Sequence, residues 1–173
     1  MVSEPALHRV YLGLGSNLGN RAANLRLARH SLPEKGVKVL AASPLYQTAP
    51  WGGVKQPDFL NQVLLGETKL KPLALLDTVK ELEREAGRTP SVFWGPRVLD
   101  IDILLYDELT FGSERLTIPH REMKKRAFVL APLLDIAPGL VLPGGDTAAA
   151  CYARLPEQEK AGVVLYAEVL SDN

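Results

Sequence analysis

The segment Leu99-Asp100-Ile101-Asp102-Ile103 holds the two carboxylates best placed for chemistry. Side chains alternate along a strand, so Asp100 and Asp102 share one face while Leu99, Ile101 and Ile103 share the other. Two carboxylates side by side repel unless a cation lies between them. Hard oxygen ligands suit Mg²⁺, which keeps waters and completes its shell with substrate phosphates. A lone D-x-D is more often a solvated strand face, so its neighbours decide. Those neighbours are cationic. Arg97 stands just before the pair, Arg88 at the far end of the preceding loop, and Arg115, Arg121, Lys124, Lys125 and Arg126 follow it. Guanidinium groups grip phosphate oxygens in forked pairs, whereas Lys124 and Lys125 read equally well as the wet face of a helix.

A second group of residues suits a flat heteroaromatic ligand. Trp51 and Phe59 bracket a Pro/Gly loop and Phe128 opens a later helix, so a ring could stack between aromatics, although Phe59 and Phe128 taken singly are ordinary core residues. Asn61 lies two residues from Phe59 on the same strand face and carries both donor and acceptor, as an amide-like ring edge requires. His120, in Thr117-Ile118-Pro119-His120, is a hydrogen-bond or proton donor for phosphate if the Arg cluster surrounds it. Gly13-Leu14-Gly15-Ser16-Asn17-Leu18-Gly19 matches neither the dinucleotide fingerprint nor a P-loop, and reads as a tight turn from strand to helix.

The elements that must position these groups follow from periodicity and punctuation. Val10 to Leu14 is a strand, and a helix capped near Asn20 runs past Arg29 to Pro33 and Gly36. Val37 to about Tyr46 is a second strand and Leu60 to about Glu67 a third. Pro72 opens a helix whose stripe of Leu76, Val79, Leu82 and Ala86 is buried, with Glu81, Glu83 and Arg84 outside and Gly87 at its end. A loop from Arg88 to Pro96 leads to a fourth strand, Val98 to Tyr106. This β-α-β-β-α-β order predicts an α+β, ferredoxin-like antiparallel sheet with helices on one face. A helix from Lys124 to about Ile136, a turn at Pro143-Gly144-Gly145, a short helix and a strand near Val163 to Val169 extend the same domain, taken as residues 1–173.

Bulk composition narrows the partners. Twenty Lys plus Arg balance twenty Asp plus Glu, so no global field draws the chain to nucleic acid or anionic lipid. The single cysteine, Cys151, excludes an internal disulfide framework and a cysteine-based zinc site. No basic stretch followed by an apolar run opens the chain, and apolar runs such as Val63-Leu64-Leu65 are far short of a membrane span. A cytoplasmic monomer without membrane or nucleic-acid contacts is expected.

Five stretches together resemble one family, the 6-hydroxymethyl-7,8-dihydropterin pyrophosphokinases of folate biosynthesis. They are Leu14-Gly15-Ser16-Asn17-Leu18, Ser43-Pro44-Leu45-Tyr46-Gln47-Thr48, Gln56-Pro57-Asp58-Phe59-Leu60-Asn61, Trp94-Gly95-Pro96-Arg97-Val98-Leu99-Asp100-Ile101-Asp102 and Arg115-Leu116-Thr117-Ile118-Pro119-His120. The resemblance implies transfer of pyrophosphate from ATP to the substrate's hydroxymethyl group, with AMP released. It implies two Mg²⁺ ions on Asp100 and Asp102, and action of Arg88 and Arg97 on the transferring group. Phe59 and Phe128 would sandwich the pterin, whose edge Asn61 and the chain near Thr48 and Trp51 would read. Arg88, Trp94, Arg97, Ile103, Arg115, Thr117, His120 and Arg126 would hold ATP. The sequence departs from the family pattern before Trp94, where Pro90 and Phe93 replace expected basic residues, and at Arg121, a position often aromatic. Two rivals stand beside this reading. A nucleotidyltransferase would release pyrophosphate instead of AMP, and an RNA-binding module would present sheet aromatics to bases.

Overall fold

The computed structural model describes residues 5–50, 55–87 and 97–166. Its centre is an antiparallel sheet in which β5 (Asp100–Tyr106), β1 (His8–Ser16) and β4 (Phe59–Thr68) are neighbours. The far side of β4 pairs first with β2 (Val37–Ala42) and then with β3 (Tyr46–Thr48). Counting β2 and β3 as one interrupted strand, the order is that of the ferredoxin-like fold.

The expected second strand thus splits at Ser43-Pro44-Leu45. Ser43 breaks away by exchanging bonds with one residue of β4: its N–H donates to the Val63 carbonyl at 2.9 Å, and its Oγ accepts from the Val63 N–H at 3.0 Å. Pro44 has no N–H to continue the ladder.

Helix α1 (Arg21–Ser31) starts where Asn20 accepts a hydrogen bond from the Ala23 N–H at 3.1 Å, and Gly36 at φ 95° closes the following turn. Helix α2 (Pro72–Glu85) has Pro72 in its first turn. Both helices lie on one face, where Val10, Leu12, Leu60 and Ile101 meet Leu25, Leu75 and Val79. A fully buried Leu or Val contributes roughly 1.5–3 kcal/mol of transfer free energy, so this face anchors the sheet.

The opposite face is covered as well. Helix α3 (Ala127–Ile136) and the short α4 (Ala148–Ala153) bury Val63, Leu104 and Leu105 beneath Leu130, Leu133 and Cys151. A bulge in β5 allows this: Ile103 pairs Leu12 but Leu105 pairs Tyr11, which leaves Leu104 extra and turns both leucines toward α3. Among the described residues, both faces of the sheet thus carry helices.

Several boundaries differ from expectation. The fourth strand starts at Asp100, two residues late, because the chain at Arg97 is bonded to Asn17 instead of to β1. The helix expected from Lys124 begins as a 3₁₀ turn, Met123–Lys125, before α3 proper. Glu83 is buried at 1% exposure, not outside. Its Oε1 accepts from the Ile101 N–H at 3.3 Å and from Lys80 Nζ at 3.2 Å, since β5 is an edge strand whose outward donors need partners. A two-strand ladder, β6 (Phe111–Gly112) with β7 (Thr117–Ile118), leads to Pro119. After the five-residue α5 (Glu157–Ala161), β8 (Val164–Leu165) pairs with β3, and Val169 lies outside the described residues. No helix among the described residues is long and apolar enough to cross a membrane.

Candidate active site

Glycines leave room for a cleft on the α3 side of the sheet. A Cβ at Gly15 would stand 3.1 Å from Asn61 Oδ1 and 3.5 Å from the Phe59 ring, so only glycine keeps this floor clear. Beside it opens a cleft of ≈ 300 Å³ between the sheet and the start of α3.

One end of the cleft is aromatic and amide-lined. Phe59 comes from β4, Thr48 from β3 opposite it, and Phe128 from α3. Asn61 is buried and donates from Nδ2 to Thr48 Oγ1 at 2.7 Å. That bond fixes which way the amide faces, presenting a defined donor and acceptor pattern to a ring edge. The Tyr46 hydroxyl donates to Asp135 of α3 and so joins the two walls.

The other end is charged. Asp100 and Asp102 both line it, as strand alternation requires. Burial, and then the charge of Asp100, raise the Asp102 pKa to about 7, outweighing Arg126 and Lys80. The Asp102 side chain still keeps 36% of its surface open to the cleft. Two acids this unfavourably placed fit a divalent cation, which would remove the repulsion. No group of three or more His, Cys, Asp or Glu that could hold a metal occurs among the described residues. Among the described residues, Asp100 and Asp102 are the carboxylates that line the cleft, and a hard cation there would add water and ligand oxygens to them.

Cations and a histidine complete this end. Arg97 is aimed from the main chain: its N–H donates to Asn17 Oδ1 at 2.7 Å, and its carbonyl accepts from the Asn17 N–H at 3.0 Å. Asn17, 1% exposed, also donates to Gln56 Oε1 at 2.8 Å and to the Pro57 carbonyl at 3.0 Å. It thereby ties the turn after β1 to the two segments that enter the cleft. By sequence this turn reads as a connection, and its one signal of a further role is the Asn between Ser16 and Leu18.

Arg126 precedes α3, with its guanidinium 5.5 Å from the centre of the Phe128 ring. His120 is brought beside the acids because its N–H donates to the Leu104 carbonyl at 2.9 Å, laying the segment after β7 along β5. Its Nδ1 accepts from the Glu122 N–H at 3.1 Å, which puts the proton of the neutral ring on Nε2, 3.9 Å from Asp102. Burial, then Arg126, lower the His120 pKa, so at neutral pH it is an uncharged donor aimed into the cleft.

Three expected nucleotide contacts are not among the side chains that line this cleft. Ile103 is 3% exposed and packs against α1 and α2, the face away from the cleft, so only its main chain is left to meet a ligand. Arg115 is paired with Asp77 of α2 and, like Thr117, does not line the cleft. Trp51, Arg88, Pro90, Phe93 and Trp94 lie outside the described residues.

Paired acids, guanidinium groups and an imidazole beside a ring-sized slot define a phosphoryl-transfer type of site on a ferredoxin-like sheet. The family model described as 7,8-dihydro-6-hydroxymethylpterin-pyrophosphokinase matches residues 11–138. The pyrophosphokinase of Methylorubrum extorquens, named as acting on 2-amino-4-hydroxy-6-hydroxymethyldihydropteridine, is 46% identical over 85% of this chain and 93% of its own length. A protein of the same name from Pseudomonas aeruginosa is 46% identical over 80% of this chain and 86% of its own. Among solved structures, a Plasmodium falciparum HPPK-DHPS aligns at TM-score 0.70 with 18% identity, over 88% of this chain but 45% of that longer one. The fold is therefore shared even at low identity. The chain belongs to the 7,8-dihydro-6-hydroxymethylpterin-pyrophosphokinase family, transferases of folate biosynthesis.

Proposed function

We propose that this chain, acting as one domain, transfers pyrophosphate from ATP to 6-hydroxymethyl-7,8-dihydropterin with the help of Mg²⁺. The hydroxymethyl oxygen attacks the β-phosphorus, the bond from that phosphorus to the α-phosphate oxygen breaks, and AMP leaves. The observation that carries this reading is the cleft itself, lined by Phe59 and Asn61 of β4 and Phe128 of α3 and, two strands across the sheet, by Asp100 and Asp102 of β5, together with Arg97 and His120. A ring held over β4 thus has the acids of β5 within the same cleft.

Each group has a matching task. Phe59 and Phe128 stack the pterin, and Asn61, oriented by Thr48, reads its amide edge. Asp100 and Asp102 hold Mg²⁺, which supplies neutralisation of phosphate charge when bound. Arg97 and Arg126 grip phosphate oxygens, and the neutral His120 donates from Nε2 to another. Arg88, Arg115, Thr117 and Trp94 belong to the ATP contacts of the same proposal, and Trp51 to those of the pterin. Such a transfer needs positioning and charge compensation more than covalent help. The protein works as a cytoplasmic monomer in this reading.

The test is incubation with MgATP and 6-hydroxymethyl-7,8-dihydropterin, followed by nucleotide analysis. AMP formation that depends on the pterin is expected. Folded protein that yields no AMP above the pterin-free blank would sink the proposal. Asp100→Ala should abolish turnover while circular dichroism stays unchanged.

A further inference from the structure

The family match ends at residue 138, yet the segment beyond it reaches back to the aromatic end of the cleft. Strand β8 adds to the edge of β3, with Tyr46 opposite Leu165 and Gln47 opposite Val164. One residue on, the Tyr166 N–H donates to the Leu45 carbonyl at 2.9 Å. The Tyr166 ring packs against the main core and lies beneath Arg21, whose guanidinium carbon is 5.8 Å from the ring centre. Arg21 Nη1 in turn donates to the Asp58 carbonyl at 2.9 Å.

Tyr166 therefore links the two chain segments that form this end of the cleft. Through Leu45 it holds the chain just before Thr48; through Arg21 it holds the chain just before Phe59. Strand β3 is three residues long, and short edge strands open easily unless something outside them supplies partners. The Phe59–Thr48 pairing is the last rung of the β3–β4 ladder, where fraying would begin.

We propose that Tyr166 is a positioning residue for ring-substrate recognition, its main chain bracing β3 and its ring bracing Arg21, so that Thr48, Asn61 and Phe59 keep the spacing the pterin requires. The inference rests on the pterin occupying the Phe59–Phe128 slot. Tyr166 is not among the residues that line the cleft, so its effect should be confined to the substrate held against β3 and β4.

The experiment measures kcat and the KM for each substrate in the full chain carrying Tyr166→Ala, Arg21→Ala or both, with Tyr166→Phe and Phe128→Ala as comparisons. Tyr166→Ala and Arg21→Ala should each raise the pterin KM about 2- to 5-fold, the worth of an exposed cation–π contact expressed as a ratio. The double variant should match the singles instead of multiplying them. The ATP KM and kcat should hold, and Tyr166→Phe, which keeps the ring, should behave as wild type. Should Tyr166→Ala be poorly folded, Arg21→Ala, a surface change, carries the same test. An unchanged pterin KM in Tyr166→Ala and Arg21→Ala, while Phe128→Ala weakens the pterin, overturns the proposal alone. Equal loss for both substrates also overturns it, as a general structural effect. Unchanged pterin affinity in Phe128→Ala overturns the assigned pterin slot, and this inference with it.

Discussion

Replacing Asp102 with Asn should abolish Mg²⁺-dependent turnover yet make the metal-free protein more stable at alkaline pH. In the folded protein the Asp102 pKa rises from 3.8 to about 7, burial being the first cause and Asp100 the second. The folded state thus binds this proton more tightly than the unfolded chain does. The stability contributed by this group is fully present below the unfolded value, and is lost as pH rises through about 7. A difference of about three decades at 1.36 kcal/mol each sets a ceiling of ~4 kcal/mol. With 36% of the side chain open, solvent screening reduces it to ~1–2 kcal/mol. The substituted amide carries no charge at any pH. Relative to wild type in chelator, Asp102→Asn should therefore gain ~1–2 kcal/mol between about pH 4 and about pH 8. For a chain of this size that is a relative rise in Tm of ~2–8 °C. Urea titration at both pH values, with and without Mg²⁺, is the assay. Mg²⁺ should stabilise wild type more at the higher pH, where Asp102 is ionised, and should act weakly on the variant. A wild-type-to-variant difference that is the same at both pH values would refute the claim that burial and the neighbouring Asp100 raise the Asp102 pKa.

Other consequences follow from the same geometry. Phe128→Ala removes one stacking wall, worth ~1–3 kcal/mol for a flat heterocycle, so pterin affinity measured by fluorescence should fall ~5- to 100-fold with ATP affinity kept; unchanged pterin affinity would count against the slot. Gly15→Ala places a methyl 3.1 Å from Asn61 Oδ1, and should raise the pterin KM without altering the fold seen by circular dichroism; a wild-type KM would mean that the floor yields freely. Asn17→Ala strands the Arg97 N–H and the Pro57 carbonyl, and should cost ~1–3 kcal/mol in urea denaturation and lower kcat, since Arg97 loses its anchor. A destabilised variant with wild-type kcat would show that Arg97 needs no such aim.

Much of this protein could be read locally. Alternation placed Asp100 and Asp102 on one face, the Leu76, Val79 and Leu82 stripe marked α2, and Asn20, Pro72 and Gly36 marked where helices begin or end. Those signals are local because each depends on φ, ψ and side-chain period within a few residues. The order of elements was enough for the ferredoxin-like sheet, since few antiparallel arrangements satisfy it.

What stayed hidden was every feature set by a contact between distant residues. Glu83 looked like one more charge on a wet helix face until the edge of β5 supplied an N–H for it to accept. The split between β2 and β3 depends on Val63, twenty residues away, taking both bonds of Ser43. The β5 bulge that turns Leu104 and Leu105 toward α3 appears only when the strand is set against β1. His120 became a neutral donor because the Leu104 carbonyl holds its segment along β5, where burial and Arg126 disfavour its charge. The sequence alone determined which carboxylates, guanidinium groups and aromatic rings are present to do chemistry, because chemistry is carried by residue type. Only the tertiary structure decided which way those groups point and what charge they bear, because both are set by neighbours the chain reaches through folding.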